Sequence, residues 1–454
     1  MNLHYTTPIR SSLPRMRGLR WLAIALAGVL LVACDKKEDT TELVIAAVNN
    51  GQIIDMQRLT PHFEAAHPDI KVRWVTLEEG TLRQRVTADI ATKGGQFDIM
   101  TIGSYEAPLW AQQDWLLPVE VDAAWDADDL LPVIRDGVSH HGKLYALPFY
   151  GEASILMYRR DLAEKVGFTM SEQPTWSQVR EFAAAAHDPD NGIYGICLRG
   201  KPGWGENMAF LSTLVNTFGG QWFDMQWRPK IDTPAWRESI GFYVDLLNTY
   251  GPPGSASNNF NEIIALFNEG RCAAWVDASS AALWVSDPAQ SNVAEHVAFA
   301  HAPIAHTHKG ASWVFSWNLA IPASTRKAEA AQTFARWATS KDYVRLVAAE
   351  KGWHLVPTGT RRSTYADPQF QQAAPFARAE QQALARITGV TDQTEPPSPY
   401  SGIQYAIIPE FQAIGTGVGQ QISAALAGQM SVDEALKAAQ TLAEREMERA
   451  GYYR

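Results

Sequence analysis

Between residues 42 and 102 the apolar positions switch repeatedly between two periods. Residues 42–48 form a compact apolar run of strand length, which stops at the turn signal Asn49-Asn50-Gly51. Across 52–67, Ile53, Met56, Leu59 and Phe63 recur at steps of three and four. That spacing predicts a helix, ended by Pro68. Residues 70–77 read as a second strand, 82–92 as a helix and 97–102 as a third strand. Strand–helix–strand–helix–strand predicts a parallel sheet covered on both faces. Ligands of such sheets sit beyond the carboxyl ends of the strands. Those ends are Asn49-Asn50, Glu78-Glu79 and Tyr105-Glu106.

A second block begins near residue 151. Helices are expected at 176–187, 208–218, 238–250 and 262–269, and strands at 194–198 and 271–276, the latter running into Asp277. Gly219-Gly220 and Gly251-Pro252-Pro253-Gly254 close two of the helices. A strand at 318–322 is followed by a helix to Ser340, and 432–450 is a long amphipathic helix. No repeat of fixed period is apparent. A chain of 454 residues is too long for one ordinary core, so two α/β domains are expected.

The N-terminus follows a different logic. Arg10, Arg15, Arg17 and Arg20 precede an apolar run over 21–32, with no acid before Cys34. The run is shorter than the ~20 residues a membrane span needs. It reads as a secretory signal peptide over 1–33, and Leu31-Val32-Ala33-Cys34 as a lipobox. Residues 34–40 would then be a polar tether lipidated at Cys34, and Asp35 resembles an inner-membrane retention signal. A retained anchor would have to continue its apolar run past Cys34, where 35–39 are all charged. The expected location is the periplasmic side of the cytoplasmic membrane, or the cell surface in a Gram-positive cell.

Composition narrows the function. The net charge is −10, and removing the four leader arginines takes it to −10 − 4 = −14. Such a body disfavours nucleic acid and polyanionic substrates. Apart from Cys34, the cysteines are Cys197 and Cys272. In an oxidising compartment they are either a disulfide or two buried thiols, and sequence leaves both open.

Residues 142–152, followed by Met157-Tyr158-Arg159-Arg160-Asp161-Leu162, resemble the crossover segment of family 1 extracellular solute-binding proteins of ABC importers. Residues 97–100, 318–322 and 431–436 are similar to further family segments in the same order. Segments 48–51, 74–79, 90–98, 195–201 and 203–210 resemble the sorbitol/mannitol-binding branch. The resemblance implies a type II periplasmic-binding-protein fold: two α/β, parallel-sheet lobes joined by a hinge. Lobe 1 would comprise 41–150 plus 313–355, and lobe 2 would comprise 151–312 plus 356–454. It implies a monomer that captures a polyol, delivers it to the transmembrane subunits of an ABC permease, and needs no cofactor. A mono- or oligosaccharide of the maltose type is the alternative ligand.

A linear polyol is neutral, and each hydroxyl both donates and accepts, so its site needs carboxylates, amides and some basic groups. Its C–H faces need flat apolar walls, which Trp and Tyr provide. The expected ligand contacts are Asn50, Glu79, Tyr105, Glu106, Tyr150, Glu152, Trp204, Glu206, Asn207, Asp277, Trp313 and Trp317, with Arg199 and His354 weaker. Each has a bland counterpart: a turn, a helix cap or ordinary packing. An enzyme is not expected. The carboxylates could suit a glycan-degrading lipoprotein, but nothing fixes a pair at catalytic spacing. His140-His141 and His301, His306 and His308 sit in loop-like flanks without a metal-ligand pattern, so no metal is expected.

Overall fold

A computed structural model describes residues 40–453; Cys34, Asp35 and the leader lie outside the described residues. Seven strands form one mixed sheet: β1 (Thr41–Val48), β2 (Ile70–Leu77), β3 (Ile99–Gly103), β4 (Ala146–Arg159), β5 (Ala274–Ala278), β6 (Val297–His301) and β7 (Val314–Ala320). Their order is β2-β1-β3-β7-β4-β5, with β6 also on β4. Parallel pairing is confined to β2-β1-β3; the remaining pairs are antiparallel. The lobes are therefore not parallel sheets throughout, because β7 returns against β3, and β5 and β6 return against β4.

β4 organises the molecule. Residues Ala146–Ala153 pair with β7, and Ile155–Tyr158 pair with both β5 and β6. One continuous strand thus passes from one half of the sheet into the other. All but one of its residues are buried, which explains why it reads as an unbroken apolar run.

The helices follow the sequence closely. α1 (Gly51–Ala66) buries Ile53, Met56, Leu59 and Phe63, the stripe seen in the pattern. Asn50 caps it, accepting from the Ile53 amide at 3.0 Å. α2 (Glu79–Ala91) begins directly beyond β2, with Glu78 as its cap. Further along are α3 (Glu106–Gln112), α4 (Trp176–Ala186), α5 (Asn207–Thr217), α6 (Pro234–Tyr250) and α7 (Phe260–Asn268). α8 (Ala328–Ala338) follows β7, and α9 (Ala377–Ala385), α10 (Phe411–Leu426) and α11 (Val432–Ala450) lie towards the C-terminus. The expected strand at 194–198 is instead an extended segment that makes single bridges, Tyr194 to Cys272 and Cys197 to Trp275. That alignment joins Cys197 and Cys272 in a disulfide with a Cα–Cα separation of 5.8 Å. No described helix is long and apolar enough to cross a membrane.

Candidate functional site

A cleft opens beyond the strand ends of the first half, faced by loops of the second. Two neighbouring strands build its floor. In the β4–β7 ladder Tyr150 lies opposite Trp317 and Glu152 opposite Phe315. Alternate residues of a strand share a face, so these four side chains line the cleft together. A register irregularity between Pro148 and Tyr150 precedes them.

The α1 and α2 N-termini supply one rim. Asn50 does double service there: its amide Nδ2 donates to the Tyr150 hydroxyl at 2.7 Å while its carbonyl caps α1. Glu79 accepts from Arg83 at 2.9 Å, one turn further along α2. Arg83 reaches on to Glu106, 2.6 Å away, and its guanidinium stacks 4.1 Å from the Trp204 ring and 4.8 Å from Trp317. Burial opposes its charge, but Glu106 and Glu79 outweigh that and raise its pKa.

The second half contributes the facing wall. Arg199 is held by Asp277 through two contacts of 2.8 and 2.6 Å, and donates to the Gly205 carbonyl at 3.0 Å. The loop around Trp204 comes very close to α2. A Cβ on Gly205 would sit 2.5 Å from the Glu79 carboxylate, so any larger residue there would have to displace that carboxylate. Glu152 accepts from the Ser280 hydroxyl at 2.6 Å. Burial pushes its carboxyl up to about 7, against the lowering effects of Ser280 and Arg199. Burial, then the charge of Glu79, likewise pushes Glu206 up to about 7.

Seven of the twelve expected contacts lie on the cleft wall: Asn50, Glu79, Tyr150, Glu152, Trp204, Trp313 and Trp317. Five lie behind it. Tyr105 turns inward and donates to the Ile408 carbonyl at 2.7 Å. Glu106, at the start of α3, accepts from the Gly103 amide at the end of β3 at 2.9 Å and from Arg83. Asp277 is fully buried between Arg199 and the Trp275 indole N–H, 3.0 Å away. Asn207 ties the Gly203 amide to the Gly419 carbonyl. Glu206 is buried beneath the same loop. These side chains hold the wall rather than form it. His354 faces Asp287 instead, at 3.6 Å.

The sequence reading missed Arg83, Ser280, Phe315, Gln404 and Tyr405, all on the wall. The i, i+4 spacing from Glu79 was an available signal for Arg83. Phe315 had one too, lying between Trp313 and Trp317 on alternating positions. Gln404 and Tyr405 come from an irregular segment before α10, where local pattern carries no direction.

A two-lobed α/β scaffold with a polar, tryptophan-walled cleft at its strand ends is the architecture of periplasmic-type solute-binding proteins. The family model "Bacterial extracellular solute-binding protein" matches residues 50–345, and the chain belongs to that family. A mannitol-binding protein of Pseudomonas aeruginosa is 57% identical over 411 residues, covering 90% of this chain and 94% of that protein. An ABC transporter solute-binding protein from Agrobacterium vitis S4, solved with bound D-mannitol, is 55% identical. It superposes with a TM-score of 0.90 over 91% of this chain and 100% of that one. A solute-binding protein from Agrobacterium radiobacter K84, in complex with ribitol, is 25% identical with a TM-score of 0.78, covering 90% of this chain and 99% of that one.

Proposed function

We propose that this chain captures a linear polyol of the mannitol type and delivers it to an ABC importer, without chemical turnover. The observation that carries this reading is the character of the cleft. Hydrogen-bonding groups of both charges, Glu79, Glu152 and Arg199, face the Trp204 and Trp313 rings across one space. Buried carboxylates outnumber the two arginines, which disfavours an anion and suits a ligand rich in hydroxyl donors. The two mannitol-linked relatives, at 55–57% identity, support the same reading.

Binding proceeds by hinge closure of lobe 1 (41–150 plus 313–355) on lobe 2 (151–312 plus 356–454). Contacts across that division support it. Lys201 meets Glu78 at 2.7 Å, and Asn261 donates to the Asn49 carbonyl at 3.1 Å. The ligand adds contacts available only when both walls meet, and so shifts the balance toward closure. The closed monomer then docks on the permease, held beside it by lipid on Cys34. A Cys34→Ser precursor should leave the membrane fraction.

Calorimetry with mannitol, sorbitol, arabitol, glucose and maltose tests the ligand class. One-to-one binding of a polyol without product is expected. Saturable binding of maltose alone would keep the family and overturn the polyol; turnover of any of them would overturn the binding role.

A further inference from the structure

A second cavity, of about 730 Å³, lies between the segment following β6 and the segment following α9, and shares no lining residue with the cleft. That is the size range of small-molecule sites, ~300–1,000 Å³. Its most deeply placed polar side chain is His301, the last residue of β6, only 4% exposed. Neither ring nitrogen has a hydrogen-bond partner. The Glu172 carboxylate stands 4.0 Å from Nε2, beyond hydrogen-bond reach. An unpaired buried polar group is costly and is normally satisfied by something.

Arg386 stands on the rim of the same cavity. One of its nitrogens donates to the Gln173 side chain at 2.7 Å, and no described carboxylate pairs with it. Burial, then the charge of Arg386, holds His301 below its ordinary value of 6.5. Its ring is therefore neutral, with one donor and one acceptor nitrogen. Glu172 acts in the opposite direction. Lys309, also on the wall, is engaged by Asp392 at 3.0 Å, which leaves Arg386 as the unneutralised charge. Ile304 and Ile387 supply apolar surface between the polar groups.

A planar guanidinium fork matches a carboxylate, and a neutral imidazole that can donate and accept matches a hydroxyl. We propose that this cavity is a second ligand site, taking a small hydroxy acid whose carboxylate lies on Arg386 and whose hydroxyl pairs with His301. It is separate from the polyol cleft and on a protein whose overall charge is −10, so the attraction is local to Arg386.

The test is calorimetry of the full mature protein, saturated with mannitol, against malate, citrate and gluconate at low salt. Saturable binding of at least one is expected. Arg386→Gln, on an exposed position, and His301→Phe should each weaken it tenfold or more, with mannitol affinity unchanged. Absence of saturable binding of all three up to tens of millimolar would overturn the site. So would binding that survives both substitutions. Repeating the titration without mannitol keeps the test independent of the polyol reading, because loss of binding in the Arg386 and His301 variants then locates the hydroxy acid whether or not mannitol occupies the cleft.

Discussion

Glu152→Gln is the most informative single substitution, because it acts on ligand and on stability with separable signatures. The carboxyl is 7% exposed, accepts from Ser280 at 2.6 Å, and makes no direct ion pair. Hydrogen bonds to a charged group contribute ~1.5–3 kcal/mol. Losing that acceptor should weaken mannitol binding roughly 10- to 100-fold, read by calorimetry. Stability should move differently. The folded carboxyl holds its proton up to about 7, against an ordinary value of 4.5. The folded state therefore binds more protons than the unfolded chain between those values, so stability is lost as pH rises through this window and is level above it. A displacement of this size is worth up to roughly 3 kcal/mol. The glutamine variant lacks that loss. Its unfolding free energy relative to the parent should rise between about pH 5 and about pH 8, by urea denaturation without ligand. His301 titrates in the same range with the opposite sign, but it is common to both proteins and cancels in the difference. A variant with parental mannitol affinity and a pH-independent stability difference would refute the placement of Glu152 as a buried carboxyl facing the ligand.

Other consequences are more local. Asp277→Ala strands Arg199 in the interior and should cost ~3–5 kcal/mol of unfolding free energy, measured by chemical denaturation. Trp204→Ala removes a buried ring from the cleft wall and the partner of Arg83. Its mannitol affinity should fall at least tenfold, and a parental value would remove the ring from the site. Cys197→Ser with Cys272→Ser opens a 75-residue loop and should lower stability by about 4 kcal/mol. The doubly substituted protein should also become insensitive to reductant.

Much of this was legible in the chain, for physical reasons that also mark the limits. The period of three and four in α1 and the apolar run of β1 fix which faces are buried, so the strand ends follow. Asn50 and Glu79 sit at such ends and reach the cleft. Tyr105, Glu106 and Asp277 sit at equivalent ends and do not. Their direction is set by partners distant in sequence: Ile408 for Tyr105, Arg83 for Glu106, and Arg199 for Asp277. Position along a strand is a local property; the choice between wall and support belongs to tertiary structure. The same holds for Gln404 and Tyr405, which no periodic pattern carries to the cleft. The disulfide is a further case. The cysteines are 75 residues apart, and only the bridges of 194–198 to the segment at β5 bring them together.

The most direct measurement is a crystal structure of the mature protein grown with D-mannitol. Expected is one polyol between the Trp204 and Trp313 rings, with hydroxyls on Glu152, Asn50 and Arg199 and the lobes closed as the Lys201–Glu78 contact requires. Mannitol bound elsewhere, or a closed cleft that excludes it at saturating concentration, would contradict the account.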